Sequence, residues 1–512
     1  MMFTKTIQKS VILFAFTIAI YPHVLVGQET GTQEYQQAVK TISEMLDKVP
    51  DGGESGEPIA WYWNWQLAII LDHCQRNPTE TVLGETEKVL NTLLDKMAVG
   101  PDGYKGFIGP YIYVEKEYAC DVHVSDAILI DHALTFAMIV HDRPELRDKY
   151  AESTKRFLAT AKRDLIEKWN KRGTFVEDGP FGGFREWDHY CKPGDLENWF
   201  QKEVVRPNGL PNPALPFNKS LHIAHCMLKI YYLTGEKEYK NQAEKIYNRV
   251  KAAMNPFQGG YTWCYWEPLS SQDILDKDNG QFDLTHWVGT HPYRDYQDGE
   301  MKMIVFAYNM GVTFTEADIR RFIHTNLKFM WNGDMNDPQW ANSNSKLPGY
   351  TKAEPSTTYP TTAGTVWSAL GQFDSTIQQL SVKMKKRGAT DLAEPTFKRK
   401  YASDATVEEF PWRNGIAESG GQFVAIAIPS VVNESESAVL ISKASPKRSK
   451  AEVYVKPLDG EEMTLLTTLN QGDDVQMYYV WDGKINGKRT PGEYVIVWKY
   501  LDGQRAYPVT LK

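Results

Sequence analysis

The stretch "FDLTHWVGTHPYRDYQDGE", Phe282 to Glu300, gathers two histidines, two tyrosines, an arginine and a tryptophan into one segment. These side chains suit proton transfer. Tyrosine acts as base and then as acid when a nearby Arg or His lowers its pKa. His291, Tyr293, Arg294 and Tyr296 are therefore candidate catalytic residues, with His286 beside them to touch substrate. A second cluster stands upstream in "FNKSLHIAHC", with Asn218, His222 and His225. His222 and His225 are three residues apart and share a helix face, and Asn218 stands one turn earlier on nearly the same side. His225, next to Cys226, reads equally well as a core residue.

Together these types meet the three needs of β-elimination on a uronic-acid polymer. A cation or hydrogen-bond donor must neutralise the carboxylate, so that the C5 proton becomes acidic. A base must take that proton, and an acid must protonate the leaving glycosidic oxygen. No metal or other cofactor is required. Tyr, His, Arg and Asn suit those jobs, and an inner-helix Asn and His opposite a Tyr/Arg loop make a sensible lyase site. The residues leave open whether Tyr293 or Tyr296 is the base.

Aromatic clusters point to a sugar ligand, because sugars present apolar faces to rings and hydroxyls to polar neighbours. "WYWNW" offers Trp63, "YTWCYWEP" offers Trp263, Tyr265 and Trp266, "FREWDHY" offers Arg185, Trp187 and His189, and "MWNGDMNDPQW" offers Trp331 and Asn332. Any one of these tryptophans alone reads more simply as core; the three Trp clusters "WYWNW", "YTWCYWEP" and "MWNGDMNDPQW", with interleaved polar residues, favour a cleft.

These groups need a scaffold, and much of Glu34–Met384 reads as helices. Three copies of one helix–turn–helix layout recur: "WQLAIILDHCQRNPTETVLGETEKVLNTLL", "SDAILIDHALTFAMIVHDRPELRDKYAESTKRFL" and "LHIAHCMLKIYYLTGEKEYKNQAEKIYNRV". In each the first helix is the more apolar, as in a double layer whose inner helices are buried on both sides. "TEADIRRFIHTNLKFMW" predicts a further helix, capped by Thr315 with Asp318 three residues on. The apolar helix before it is expected to run from near Glu300 to Gly311, which leaves the opening segment on a loop. Beyond about Ala393, short runs such as "QFVAIAIPSVV" and "GEYVIVWKYLDG" predict a β-sandwich of roughly a hundred residues.

The helical layout resembles the (α/α) toroids of carbohydrate-active enzymes. "DLTHWVGTHPYRDYQDGE", "GVTFTEADIRRFIHTNLKFMWNGD" and "NKSLHIAHCMLKIYYLTGE" resemble exported bacterial toroid lyases that act on alginate or glucuronan, most of all polysaccharide lyase family 38. That resemblance implies a toroid with a substrate groove, a tyrosine of "HPYRDY" as base and acid, Arg294, Asn218 or His222 holding the carboxylate, and an anionic polysaccharide as partner. The final "YYVWDGKINGKRTPGEYVIVWKYLDG" resembles the last hairpin of the flagellar-hook-cap type immunoglobulin-like domain. The expected fold is thus an (α/α) toroid over residues 28–392 with a C-terminal immunoglobulin-like β-sandwich over 393–512.

Rival readings stay open. Glycosidases, including unsaturated-uronide hydrolases, need two carboxylates across the bond. Glu115, Glu117, Asp121, Asp126, Glu186, Asp188, Glu267 and Glu300 are the candidates. A C5 epimerase shares the proton-abstraction step. A non-catalytic glycan-binding protein would use the aromatics and the β-sandwich alone.

Bulk properties narrow the classes. The 512 residues carry a formal charge of −8 with no basic stripe, so nucleic acid is a poor partner. Lys5, Lys9 and "VILFAFTIAI" predict an export signal over residues 1–27 and a periplasmic or secreted protein. No other run is expected to cross a membrane. Five scattered cysteines include no CxxC pair, which disfavours a zinc finger; buried free thiols are expected, and the spacing leaves one disulfide open. "DILDKDNGQFD" lacks the EF-hand pattern and reads as a solvated loop, and "HWVGTH" spaces its histidines poorly for one helical face.

Overall fold

The computed structural model describes residues 28–110, 118–187, 189–192, 194–201, 213–277, 281–286, 288, 294–340, 364–384, 409–413, 424–443, 450–470, 476–501 and 503–512. The predicted signal and the boundary at 392/393 lie outside these residues.

The helices are α1 Gln28–Leu46, α2 Gly56–Arg76, α3 Glu80–Asp95, α4 His123–His141, α5 Pro144–Arg147, α6 Ala151–Thr160, α7 Lys168–Lys171, α8 Phe217–Thr234, α9 Lys237–Ala253, α10 Arg294–Asn309, α11 Glu316–His324 and α12 Ser375–Lys383. The three predicted hairpins are α2/α3, α4/α6 and α8/α9. Within α8/α9 the turn is made by Gly235, whose φ of +74° suits a residue without a side chain. The more apolar first helices pack on one another: α2 on α4, α4 on α8, and α8 on α10. The second helices lie outside them, α3 on α2, α6 on α4 and α9 on α8. Trp61 of α2 also stacks on Tyr296 of α10, so the first and last helices of the inner row meet.

Apolar residues all round α4 follow from this inner position. Leu129, Ile130, Leu134, Phe136, Met138 and Ile139 are all buried. Against expectation, α4 is long and apolar enough to cross a membrane, but it lies in the protein core.

Helix α11 begins as predicted. Thr315 Oγ1 accepts from the Asp318 amide at 3.2 Å, and Asp318 Oδ2 accepts from the Thr315 amide at 2.7 Å. Helix α10 starts earlier than expected, at Arg294 rather than near Glu300. Its first turns are polar, which concealed them, yet their polar groups find tertiary partners. Asp298 is buried and accepts from the Ser368 amide at 2.9 Å. Tyr296 therefore stands on a helix and not on a loop.

Apart from the short hairpin of Lys484–Ile485 with Lys488–Arg489, the described C-terminal strands form two sheets. One has the order Val424–Ile428, Ala438–Lys443, Gln476–Trp481. The other runs Val431–Val432, Gly503–Leu511, Gly492–Tyr500, Lys450–Pro457, Thr464–Asn470. Buried residues of these sheets, among them Ile426, Val453, Val497 and Trp498, share one core with Phe181, Tyr265, Trp266 and Leu269 of the helical part. Polar contacts cross the same boundary. Arg505 Nη2 lies 2.9 Å from Glu267 Oε1 with both side chains buried, and the Ser430 amide donates to Asp178 Oδ1 at 2.7 Å. All five cysteines are buried free thiols.

A buried ion pair loses most when one partner is removed and the other charge is left behind. Arg505→Met is expected to cost about 3–5 kcal/mol of unfolding free energy. Adding Glu267→Gln should restore part of the loss. Urea titration followed by near-ultraviolet circular dichroism reads both; a single-variant loss near zero would remove the pair from the account of stability.

Candidate active site

Helices α2, α8 and α10 bring their N-terminal turns to one place. On α2, Glu57 is buried and Trp61 stands one turn later, its Nε1 donating to Glu57 Oε1 at 3.3 Å. In the first turn of α8, Lys219 is 7% exposed. Its Nζ lies 3.6 Å from Glu57 Oε1 and 4.0 Å from Glu186 Oε1. A cation with so little water requires such partners.

Rings line the remainder. Tyr296 stacks on Trp61 at 6.2 Å with 19° between planes, and on Tyr265 at 6.5 Å with 19°. The phenol thus sits in a ladder of three rings. His222 meets the edge of Trp61 at 6.3 Å. His286 stacks on Trp266 at 5.3 Å and borders Tyr265 at 5.9 Å.

Asn218 is buried one turn before His222 on the same face of α8. Its Oδ1 has no hydrogen-bond partner among the described residues. A buried amide oxygen left without a partner is costly, and a ligand hydroxyl can satisfy it.

Burial pushes the His222 imidazole down to about 4 and that of His225 down to about 3, with Lys229 adding to the effect. Both rings are therefore neutral near pH 7, each able to donate one hydrogen bond and accept another. His225 belongs to a different setting. Its Nε2 lies 3.6 Å from Asp131 Oδ1, which also pairs with Lys229 Nζ at 2.6 Å, and its ring packs on Phe306. Burial would raise the Asp131 carboxyl, but Lys229 and then His225 outweigh it and hold the group well below the usual range.

Of the predicted residues, the structure brings together Tyr296, His222, Asn218, Tyr265 and His286. His291 and Tyr293 and the side chain of Arg294 lie outside the described residues. Several others require correction. Trp63 is core, packed against Phe107. Trp263 is buried against Phe322 and Trp367, and Trp266 is buried with its Nε1 donating to Ala214 O at 2.8 Å. None of the three can be a sugar platform, because no face of the ring meets solvent. Arg185 is spent on Ser270 Oγ at 2.8 Å and Asp273 Oδ1 at 3.4 Å. Asn332 is used within its own loop, donating to Asp337 O and accepting from the amides of Asp334 and Gln339, and Trp331 bridges to Trp340 there. Trp187 stacks on His189 at 4.3 Å, and the Arg172 guanidinium covers the Trp187 ring at 3.8 Å, so these two form a neighbouring aromatic cluster.

The carboxylates also sort themselves. Asp121 and Asp126 are buried on Lys168 Nζ at 2.8 and 2.7 Å, Glu267 pairs with Arg505, and Glu300 accepts from Trp263 Nε1 at 3.2 Å. Those four hold the fold. Glu186 stands at the site; Glu115, Glu117 and Asp188 lie outside the described residues.

Sequence spacing does not mark Glu57 or Lys219, and it marks Trp61 only as part of "WYWNW". One signal was available for Trp61. The buried face of α2 carries Ala60, Trp63, Leu67, Ile70 and Cys74, which leaves Trp61 and Trp65 on another face. Among the described residues no three His, Cys, Asp or Glu side chains gather as a metal site.

No family model and no curated protein matches the chain. Among solved structures, it is similar to an inactive variant of an α-1,6-mannanase of Salegentibacter in complex with α-1,6-mannotriose, at TM-score 0.30 and 13% identity over 56% of this chain and 69% of that one. It is also similar to a cellobiose 2-epimerase from Bacillus thermoamylovorans, at TM-score 0.26 and 13% identity over 55% of this chain and 72% of that one. Likeness at this level carries no argument about fold or activity here.

The neutral histidines give a pH signature. Unfolded, each would titrate near 6.5; folded, His222 titrates near 4 and His225 near 3. Between those values the unfolded chain binds more protons, so stability is present above about pH 6.5 and is lost as pH falls towards 4. His222→Gln is expected to flatten that slope, by on the order of a few kcal/mol across the window. Denaturant midpoints measured from pH 7 to pH 4 provide the check; parallel curves for both chains would count against a neutral His222.

Proposed function

We propose that the protein is an exported glycan-processing enzyme that cleaves a uronic-acid-containing polysaccharide by β-elimination. The observation that carries this reading is Tyr296, stacked between Trp61 and Tyr265, with His222 on the edge of Trp61 and Asn218 and Lys219 on the adjacent turn of α8. Tyr296 takes the C5 proton. Lys219, Asn218 and the neutral His222 meet the uronate carboxylate and stabilise the charge that develops on it. The electron pair moves into the C4–C5 bond, the glycosidic C4–O bond breaks, and the leaving oxygen receives a proton from the tyrosine. Family 38 of the polysaccharide lyases is the finer form of the reading, supported by the motifs quoted from the sequence. Export rests on the basic and apolar character of residues 1–27.

A second reading has its own observation. Glu57 and Glu186 both face Lys219, and two carboxylates in one site suit hydrolysis.

One panel separates the two. Elimination leaves a C4–C5 double bond conjugated to the carboxylate, which absorbs in the ultraviolet, whereas hydrolysis leaves reducing ends and no absorbance. Alginate, polymannuronate, polyguluronate, glucuronan and neutral glucans are the test substrates. A rise on one polyuronide is expected, and Tyr296→Phe should lower its rate by roughly 10²–10⁴-fold while binding is kept. New reducing ends without absorbance, lost in Glu186→Gln, would transfer the chemistry to the carboxylates.

A further inference from the structure

We propose that Trp65 is a second sugar-stacking position, so that one face of α2 forms a strip that seats several rings of a glycan chain. The proposal deepens the reading above and rests on it in placing a glycan at Trp61. Glu57, Trp61 and Trp65 follow at four-residue spacing on one helix, and residues so spaced share a face. From Glu57 to Trp65 the helix rises ~12 Å, the reach of an oligosaccharide rather than of one sugar. Exposure increases along the strip: Glu57 is buried, Trp61 is partly buried in the ring ladder, and Trp65 is 60% exposed.

A lone exposed tryptophan on a surface is ordinary. Two features set Trp65 apart. It stands on a helix of the inner row, where the layered packing should cover such a ring, and Tyr62 beside it is 58% exposed as well. Side chains on a helix also tilt towards its N-terminus, so the Trp65 ring leans back over the turn that carries Trp61. The platform is stiff. Asn64, between the two tryptophans, bonds through Oδ1 to His132 Nε2 of α4 at 2.8 Å and fixes α2 against its neighbour. The ligand class is a pyranose polymer whose apolar ring faces stack in succession on Trp61 and Trp65.

The test uses the full chain and isothermal titration with di- to hexasaccharides of mannuronate and of glucuronate, with Tyr296→Phe in the background so that ligand is not consumed. Trp65→Ala should weaken the hexasaccharide by about tenfold and leave the disaccharide unchanged, and Trp65→Tyr should restore most of the loss. An equal loss for both lengths, or none for either, overturns the strip and leaves the glycan reading standing. If the background chain binds no member of the panel, the glycan reading fails and takes the strip with it. An unchanged thermal midpoint in Trp65→Ala excludes a folding defect as the cause, because the side chain is exposed.

Discussion

Lys219 is a cation with almost no water around it, and the two carboxylates beside it come from distant parts of the chain. Glu57 opens α2, and Glu186 follows the strand Phe181–Phe184. Removing both carboxylates would leave the lysine charge buried without compensation, which the fold resists strongly. That requirement ties the first turn of α2 to the first turn of α8 and to the segment around Arg185. Once those are fixed, Trp61, Asn218 and His222 have little choice of position, since each is on the same or the next turn. The ring ladder then closes the arrangement by drawing α10 in through Tyr296.

The far wall of the site depends on the C-terminal sheets. Tyr265 and Trp266 belong to the core that those sheets form, and His286 stacks on Trp266. Phe282, in the strand that leads to His286, packs on Tyr478 at 4.8 Å. Glu267, next in sequence to Trp266, is held by Arg505 from the sheet side. The β unit therefore bears directly on the aromatic wall, although its own strands supply no proton-transfer group to the ladder. Strand patterns alone do not reveal this shared core, because it depends on which faces of distant elements meet.

What sequence could show follows from which interactions are local. The three hairpins, the Thr315–Asp318 capping box and the shared face of Asn218 and His222 depend on spacing within a helix, and spacing is written in the chain. The choice of Trp63 over Trp61 failed for a related reason. Both stand in "WYWNW", and only the apolar row from Ala60 to Cys74 tells which one turns inward. The polar start of α10 was concealed because Asp298 is satisfied by Ser368, a partner 70 residues away. Arg185 likewise looked like a binding residue until Ser270 and Asp273 claimed it. Long-range polar pairing leaves no periodic trace, and the Glu57–Lys219–Glu186 group is the same kind of feature.

The charge of that group bears on the chemistry. His222 is neutral near pH 7, and Asn218 carries no charge, so among the groups described at the site a uronate carboxylate finds its one positive partner in Lys219. That cation already faces two glutamates, at 3.6 and 4.0 Å. Elimination asks Lys219 to exchange part of this pairing for the substrate, and Glu186, at the longer distance, is the partner more easily given up. Hydrolysis asks the reverse, that both glutamates remain across the scissile bond and that Lys219 hold them there. The two mechanisms therefore place opposite demands on one ion cluster. Elimination uses Lys219 as a ligand for the substrate, and hydrolysis uses it as a clamp for the acids.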